Sequence, residues 1–190
     1  MAEILFVRHA STSWSGRRFC GRADPPLNRA GQAVARRLAT ELAAGVPAGL
    51  PIAGRIISSP ARRARQTAGG IARLVPGVRV ELDDRWSEAD IGIAEGLTFD
   101  ELALLEPELA ERLGRGDFNV DWPGGEAASS LAERVRSALR ELDDTPSPTI
   151  VVSHAGPLRI AIALATDVPI AQVPFLEPGG VLRIAGRGRR

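Results

Sequence analysis

Two short apolar runs stand out in the hydrophobic pattern of the chain. Residues 4–7 are apolar throughout, and residues 149–152 are apolar after Thr149. Runs without polar alternation predict strands buried on both faces of a parallel sheet. The first run is followed by Arg8-His9 and the second by Ser153-His154. Because the C-terminal ends of parallel strands line the ligand crevice of an open sheet, both exits are candidate site positions.

The segments between these runs alternate between strand and helix patterns. Ile56-Ile57 predicts one strand, and Val78 with Val80 predicts another. Apolar residues at helical spacing predict three amphipathic helices, and a nearly all-apolar stretch over 158–165 predicts a buried one. The three stripes are Val34, Leu38 and Leu42; Ala64, Ala68, Ile71 and Val75; and Leu131, Val135, Ala138, Leu139 and Leu142. The predicted helix starts are Asn28 as N-cap, Pro60, Glu126 and Pro157.

Strands that alternate with helices predict a single-domain α/β protein over residues 1–190, a three-layer αβα sandwich with a mostly parallel central sheet. Residues 83–125 show no strand pattern and contain short helical stretches at 99–105 and 108–113. We expect them to form a small helical lid inserted over the strand ends.

The C-terminal part predicts a hairpin. Residues 173–176 and 181–184 are largely apolar and flank Pro178-Gly179-Gly180, which is a turn sequence. Two further stretches predict irregular structure, the Pro/Gly-rich connection at 45–54 and a frayed tail at 187–190.

Composition narrows the class of protein. The net charge of +1 gives no reason to expect nucleic acid or an anionic membrane as a partner. All 24 basic residues are arginine, which excludes lysine chemistry and a Walker-type phosphate loop. A single cysteine, Cys20, excludes an internal disulfide and a thiolate-rich metal site. The start Met1-Ala2-Glu3 lacks the basic region of a secretory signal, so a cytoplasmic location is expected.

The chemistry available at the strand exits is cationic and hydrogen-bond donating. The chain has two histidines, and both follow a predicted buried strand. The exits together supply Arg8, His9, Ser58, Ser59, Arg63 and His154. A phosphoryl group matches this set, since arginine binds its oxygens bidentately and helix N-termini add backbone N–H donors.

These residues lie in segments that resemble the histidine phosphatase superfamily, in its phosphoglycerate-mutase-like branch. The resemblance covers essentially the whole chain and follows the family's order. It rests on six segments, at residues 6–10, 18–27, 58–68, 88–96, 123–126 and 152–159. It implies no metal and no organic cofactor.

The resemblance also implies a role for individual residues. His9 would be the nucleophile that forms a phosphohistidine, and Glu88 would protonate the leaving oxygen. Arg63, preferred over Arg62 by the register of the motif, would bind the phosphoryl oxygens. The full implied set is His9, Glu88, His154, Arg8 and Arg63 as catalytic residues, with Arg8, Ser15, Arg63, His154 and Ala155 binding the substrate.

Three positions depart from the family pattern. Ala10 stands where the family usually has glycine, Ser11 where it commonly has glutamate, and Ser15 where an asparagine often binds phosphate. Ala10 is expected to place a methyl group near the site. These changes and a lid of about forty residues favour a metal-independent phosphomonoesterase acting on a small phosphate ester over a glycolytic mutase.

Other functions stay open at this point. A phosphoglycerate-mutase-type phosphomutase is the alternative enzyme, and a catalytically silent protein that binds a phosphate ligand is the alternative outside catalysis. An arginine-rich nucleic-acid binder is disfavoured by 23 acidic residues. The expected partner is a small-molecule phosphate ester, with neither nucleic acid nor membrane, and a homodimer is compatible with the sequence.

Three residues near the predicted lid and its neighbouring loop carry two interpretations each. Trp86 and Trp122, at the two ends of the lid, fit lid packing as well as stacking on a substrate. Cys20 fits a small buried residue better than a reactive thiol, and it could border the pocket.

Overall fold

The computed structural model describes residues 3–45, 54–75, 77–143 and 148–185. Within them the strands are β1 (Ile4–Arg8), β2 (Arg55–Ser58), β3 (Val80–Leu82), β4 (Thr149–Ser153) and β5 (Val181–Ile184). The α-helices are α1 (Arg29–Ala43), α2 (Arg62–Ala72), α3 (Phe99–Leu105), α4 (Pro107–Gly114), α5 (Ala128–Asp143) and α6 (Ala155–Thr166). The predicted tail at 187–190, and the predicted connection at 45–54 apart from its two ends, lie outside the described residues.

The strands form one mixed sheet in the order β3-β2-β4-β1-β5. β1 to β4 run parallel to one another, and β5 joins antiparallel to β1. In the β1–β4 register Arg8 lies opposite Ser153. The residues that follow these partners, His9 and His154, therefore leave the sheet side by side at the same edge.

The central strands are buried on both faces, as the continuous apolar runs predict. Ile4 and Phe6 of β1 face one side of the sheet, where α5 and α6 cover them. Leu5 and Val7 face the other side, where α1 and α2 cover them. Full burial of one such side chain contributes about 1.5–3 kcal/mol relative to an exposed one. The two helical layers around the sheet confirm the predicted αβα sandwich.

The helix starts agree with the sequence to within about two residues. The side chain of Asn28 accepts a hydrogen bond from the Gly31 amide, so Asn28 caps α1 as predicted. α2 begins two residues after Pro60, and α6 begins two residues before Pro157. α5 begins at Ala128 instead of Glu126, and the Ala128 amide donates to the carboxylate of Asp121. The third strand begins at Val80, so Val78 lies outside it.

The predicted C-terminal hairpin is wrong. Residues 181–184 form β5, but residues 173–176 form no strand. Their carbonyl oxygens accept hydrogen bonds from arginines instead of a partner strand, Val173 from Arg159 and Leu176 from Arg8. β5 therefore pairs with β1 alone, and the segment before it crosses the C-terminal edge of the sheet.

The segment 83–125 contains the two predicted helices, α3 and α4. Thr98 and Glu101 form a reciprocal capping box at the start of α3, and Pro107 is the first residue of α4. Leu102, Leu109 and Leu113 anchor these helices in the core on the α5–α6 side of the sheet. The segment is thus held against the sandwich at the edge where both histidines emerge.

Candidate active site

The two imidazoles lie next to each other at the C-terminal edge of the sheet. The ring centroids of His9 and His154 are 5.0 Å apart and the planes meet at 61°. The His9 amide donates to the Ser153 carbonyl at 2.9 Å, which continues the β1–β4 ladder by one bond. The sheet register thus brings together two residues that are 145 positions apart in sequence. This confirms the prediction that both strand exits meet.

The surroundings of His9 define which of its nitrogens carries the proton. Nδ1 lies 2.8 Å from the Ala10 carbonyl oxygen, which can only accept, so Nδ1 is the protonated nitrogen. Nε2 then carries the lone pair and accepts a hydrogen bond from Nε of Arg63 at 3.2 Å. Burial, together with the charge of Arg63, lowers the pKa of His9 to about 3. The ring is therefore neutral near pH 7, and Nε2 is the unprotonated, nucleophilic nitrogen.

Arg63 is fixed by the loop that precedes α1. It lies in the first turn of α2 and is 1% exposed. One terminal nitrogen donates to the Ala23 carbonyl at 2.6 Å and the other to the Gly21 carbonyl at 2.8 Å. The neighbouring Arg62 is exposed and does not line the cavity, whereas Arg63 does; the phosphate-binding role of Arg63 stays a prediction. These contacts leave two N–H groups of the guanidinium for a ligand.

Arg8 lies at the end of β1 and also lines the cavity that contains His9. Its Nη1 donates to the Leu176 carbonyl at 2.6 Å. Its Nε is buried and has no hydrogen-bond partner among the described residues. Burial lowers the pKa of this arginine from its ordinary value. A buried donor without a partner costs about 1–3 kcal/mol, so a ligand that accepts from Arg8 recovers that energy.

His154 lies deeper than His9 and is fully buried. Its Nε2 lies 2.7 Å from the hydroxyl of Ser59, at the exit of β2. Its Nδ1 is buried and has no hydrogen-bond partner among the described residues. Burial, and then the charge of Arg63, lowers the pKa of His154 well below its ordinary value. The ring is neutral here. That it gains a proton when a dianion binds beside it stays a prediction.

Glu88 reaches the same cavity from the segment 83–125. Its Oε1 accepts from the Ala89 amide at 3.0 Å. A Cβ built on Gly156 would lie 2.7 Å from this oxygen, so α6 begins against the carboxyl group. Burial raises the pKa of Glu88, and the opposing charges of Arg63 and Arg8 do not fully offset this. A carboxyl group with a raised pKa can hold a proton for a leaving oxygen.

The backbone that carries Glu88 is held by Arg134, a residue that sequence reasoning missed. One nitrogen of Arg134 donates to the carbonyls of Arg85 and Ser87, and the other donates to that of Glu88. Arg134 also forms a bidentate pair with Glu126 at 2.7 and 2.8 Å. Glu126 belongs to the resembling segment 123–126, but no sequence pattern identified its partner on α5.

Ser15 and Ala155 both line the cavity, as expected of substrate-binding residues, although their roles stay predictions. The hydroxyl of Ser15 accepts from the Thr12 amide at 2.9 Å and closes a turn. The expectation for Ala10 is wrong, because its methyl group packs against Leu27 and Ala35, away from the cavity. The Ala10 amide donates to the hydroxyl of Thr67.

The cavity around His9 has a volume of about 380 Å³. The segment 83–125 forms one wall of it, through residues that include Glu88 and Trp122. Trp86 does not line it; this ring is fully buried and packs near Phe6. The structure therefore assigns Trp86 to packing and leaves Trp122 facing the cavity. Cys20 borders the cavity as well, and burial raises the pKa of its thiol.

Neither a candidate metal site nor a membrane-spanning helix is present among the described residues. No group of three or more histidine, cysteine, aspartate or glutamate side chains is placed to hold a metal ion among residues 3–45, 54–75, 77–143 and 148–185. In the same part of the chain, the helices are all too short or too polar to cross a membrane.

Comparison with known proteins identifies the family. The model of the histidine phosphatase superfamily (branch 1) matches residues 4–183. The chain therefore belongs to the histidine phosphatase superfamily. This membership and the site support a phosphoryl-transfer enzyme.

Curated relatives include a bifunctional protein and a probable phosphoglycerate mutase. The chain is 36% identical over 170 residues to a bifunctional protein of Mycobacterium tuberculosis, an alignment that covers 87% of this chain and 44% of that protein. The chain thus spans less than half the length of the mycobacterial relatives that it matches. It is 32% identical over 172 residues to a probable phosphoglycerate mutase of Escherichia coli, covering 89% of this chain and 77% of that protein.

Solved structures share the fold. A mycobacterial glucosyl-3-phosphoglycerate phosphatase in complex with VO3 superposes with a TM-score of 0.81 at 26% identity, covering 96% of this chain and 92% of that one. A phosphoglycerate mutase from Thermus thermophilus superposes with a TM-score of 0.72 at 30% identity, with the same two coverages.

Proposed function

We propose that the protein is a metal-independent phosphomonoesterase that hydrolyses a small phosphate ester through a phosphohistidine on His9. The observation that carries this proposal is the convergence of His9, Arg8, Arg63 and Glu88 on one cavity, with His154 directly behind. A neutral nucleophile, two guanidinium groups and a carboxyl group with a raised pKa supply what phosphoryl transfer needs.

The first half of the reaction transfers the phosphoryl group to the enzyme. The lone pair on Nε2 of His9 attacks phosphorus, and the bond from phosphorus to the ester oxygen breaks. Glu88 gives its proton to that oxygen, so the alcohol leaves neutral. The hydrogen bond from Nδ1 to the Ala10 carbonyl stabilises the positive charge that the ring gains. Arg8 and Arg63 balance the charge on the phosphoryl oxygens.

The second half returns the enzyme to its starting state. The ionised Glu88 takes a proton from a water molecule while the oxygen of that water attacks phosphorus. The bond between phosphorus and Nε2 breaks, its electron pair returns to His9, and inorganic phosphate leaves. Once Nε2 is bonded to phosphorus it no longer accepts from Arg63, and the Nε–H of that arginine then faces a phosphoryl oxygen.

His154 supports this proposal by its position. Nδ1 is buried without a partner among the described residues, and Nε2 is held by Ser59. A dianionic phosphoryl group next to the ring raises its pKa, so His154 gains a proton and donates to the anion. The enzyme thus gains a cation at the moment when the ligand supplies two negative charges.

A phosphomutase is the second candidate, favoured by the likeness to the probable phosphoglycerate mutase of Escherichia coli and to that of Thermus thermophilus. One comparison separates the two. Purified protein with a chelator is given p-nitrophenyl phosphate, and separately 3-phosphoglycerate with a bisphosphoglycerate primer. We expect hydrolysis in the first assay and little interconversion in the second, with His9→Ala inactive in both. Efficient interconversion with slow hydrolysis favours the mutase.

A ligand-binding measurement together with a library of phosphate esters addresses the silent alternative. A protein that binds phosphate or vanadate but hydrolyses no ester in a broad library would be a ligand-binding member of the family. Full activity of His9→Ala would remove the phosphohistidine mechanism.

A further inference from the structure

The aromatic side chains of this protein are concentrated at the cavity. The chain has three tryptophans, five phenylalanines and no tyrosine. Five of these eight residues line the cavity that contains His9, namely Trp14, Phe19, Phe118, Trp122 and Phe175. They come from the loop after β1, from the segment 83–125 and from the segment before β5. We refer to these five residues as the aromatic wall.

Four of the five residues of the aromatic wall, all except Trp14, are held in place by ring contacts. Phe19 and Trp122 meet edge to face with centroids 6.2 Å apart, and Phe118 and Phe175 do so at 4.7 Å. Arg159 of α6 lies over Phe175, with its guanidinium carbon 4.5 Å from the ring centroid. Nε of Arg159 also donates to the Val173 carbonyl, which fixes the stack. A wall organised before binding loses little conformational entropy when a ligand arrives.

These rings are not part of the closed core. Phe6 and Trp86 are fully buried, whereas every member of the aromatic wall keeps surface open to solvent, up to 39% for Phe118. Apolar surface that faces a cavity is stabilised when a ligand removes it from water. An apolar ligand group that covers the wall therefore gains binding energy.

Several polar groups in the same region already form hydrogen bonds within the protein. The hydroxyl of Thr12 accepts from the Trp14 amide, and that of Ser15 accepts from the Thr12 amide. Arg18 donates to the Gly96 carbonyl and pairs with Glu101 at 3.3 Å. A sugar, a glycerate or another polyol has to share these groups with their partners in the protein, whereas an apolar ring does not need them.

We propose that the aromatic wall binds the leaving group, and that the substrate is a phosphomonoester of a flat apolar alcohol, such as an aryl or arylalkyl phosphate. The phosphoryl group lies at Arg8, His9 and Arg63, and the ring of the alcohol stacks on Trp14 or Trp122. The volume of about 380 Å³ is sufficient for one such ester. This inference rests on the proposed phosphatase function.

The first test compares esters whose leaving groups have similar acidity. We expect kcat/KM for 2-naphthyl phosphate to exceed that for phenyl phosphate by about tenfold, the value of one good ring contact. We also expect benzyl phosphate to exceed glycerol 3-phosphate by at least about tenfold. Equal values within each pair, or a preference for glycerol 3-phosphate, overturn the inference while the phosphatase function stands.

The second test does not need turnover. Calorimetry compares naphthylmethylphosphonate with methylphosphonate, which share the phosphonate group and differ in the ring. We expect the first to bind about tenfold more tightly, and Trp122→Ala or Trp14→Ala to remove most of that preference while methylphosphonate affinity stays constant. Leu104→Ala, at a side chain that is 85% exposed on α3, is the control and should keep it.

The two tests separate the two proposals. A binding preference for the naphthyl compound without hydrolysis of any ester supports the aromatic wall and contradicts the phosphatase function. Hydrolysis of all esters with no ring preference in either test supports the phosphatase function and contradicts the role of the wall. If one tryptophan variant fails to fold, the other variant and the comparison of ligands on the wild type still test whether the aromatic wall binds the leaving group.

Discussion

Nε of Arg63 lies 3.2 Å from Nε2 of His9, inside a pocket where both side chains are almost fully buried. A permanent cation at this distance opposes protonation of the imidazole, in addition to the effect of burial. Arg63 therefore has two proposed effects. It keeps the nucleophile neutral before the phosphoryl group arrives, and it balances the charge of that group once it is bound.

The protonation state of both histidines can be measured directly. Because the chain contains two histidines, ¹⁵N imidazole spectra give two sets of signals. We expect both rings to stay neutral from pH 8 down to pH 5, since the pKa of His9 is lowered to about 3 and that of His154 is lowered as well. His9 should show the Nδ1–H tautomer, because Nδ1 faces a carbonyl. A titration near pH 6.5 in either ring would contradict this.

Neutral buried histidines make stability depend on pH. Unfolded histidine takes up a proton below about pH 6.5, whereas folded His9 does so only near pH 3. The contribution of the neutral histidine to stability is therefore fully present above pH 6.5 and is lost as the pH falls below that value. We expect the free energy of unfolding to fall by on the order of 1 kcal/mol per pH unit for each histidine between pH 6.5 and 5.

This slope is best measured by urea unfolding in Glu88→Gln, since the raised pKa of Glu88 acts with the opposite sign. The paired carboxylates of Asp83, Glu126 and Glu141 have lowered pKa values and titrate below this range. Replacing one histidine, as in His9→Gln, should roughly halve the slope. A slope that is the same with and without His9 counts against the assignment.

Replacing Glu88 should separate stability from activity. Burial raises the pKa of this carboxyl group, so its ionised form destabilises the fold as the pH rises. Glu88→Gln should therefore unfold at a higher temperature at pH 8 than the wild type. It should also lower kcat by about 100-fold or more for alkyl phosphates, and much less for p-nitrophenyl phosphate, whose alcohol leaves without a proton. Equal losses on both substrates would remove the general-acid role.

Gly156 is the point where a single methyl group should reach the proposed acid. A Cβ there would lie 2.7 Å from Oε1 of Glu88, which has to shift. We expect Gly156→Ala to reduce activity on alkyl phosphates about tenfold or more with little change for p-nitrophenyl phosphate. Gly69→Ala is the matched control, since nothing lies within 4 Å of a Cβ at that helical position. Equal activity in the two variants would show that Glu88 is not placed as described.

The sequence predicted those parts of the fold that depend on local pattern. Continuous apolar runs marked β1 and β4, and the side-chain chemistry after each run marked His9 and His154. That these exits meet follows from parallel pairing, which places Arg8 opposite Ser153. The register of the motif favoured Arg63 over Arg62. In the structure, hydrogen bonds to the loop carbonyls of Gly21 and Ala23 hold the buried guanidinium of Arg63 beside His9.

Features that depend on distant partners could not be predicted. Residues 173–176 have a strand-like composition, but the carbonyls of Leu176 and Val173 accept hydrogen bonds from Arg8 and Arg159 instead of from a partner strand. In the sequence Arg134 is an ordinary arginine on a helix, and only the fold brings it to the carbonyls of Arg85, Ser87 and Glu88. The direction of the Ala10 methyl group depends on Leu27 and Ala35, which pack beside it. In each case the deciding contact is made by a residue far along the chain.

The covalent intermediate provides the most direct test. Protein mixed with a ³²P-labelled phosphomonoester is quenched in alkali, in which a phosphohistidine is stable, and then mapped by mass spectrometry. The account predicts label on Nε2 of His9, its loss on brief exposure to acid, and its absence in His9→Ala. Turnover of the ester with label on another residue, or unchanged turnover in His9→Ala, would contradict it.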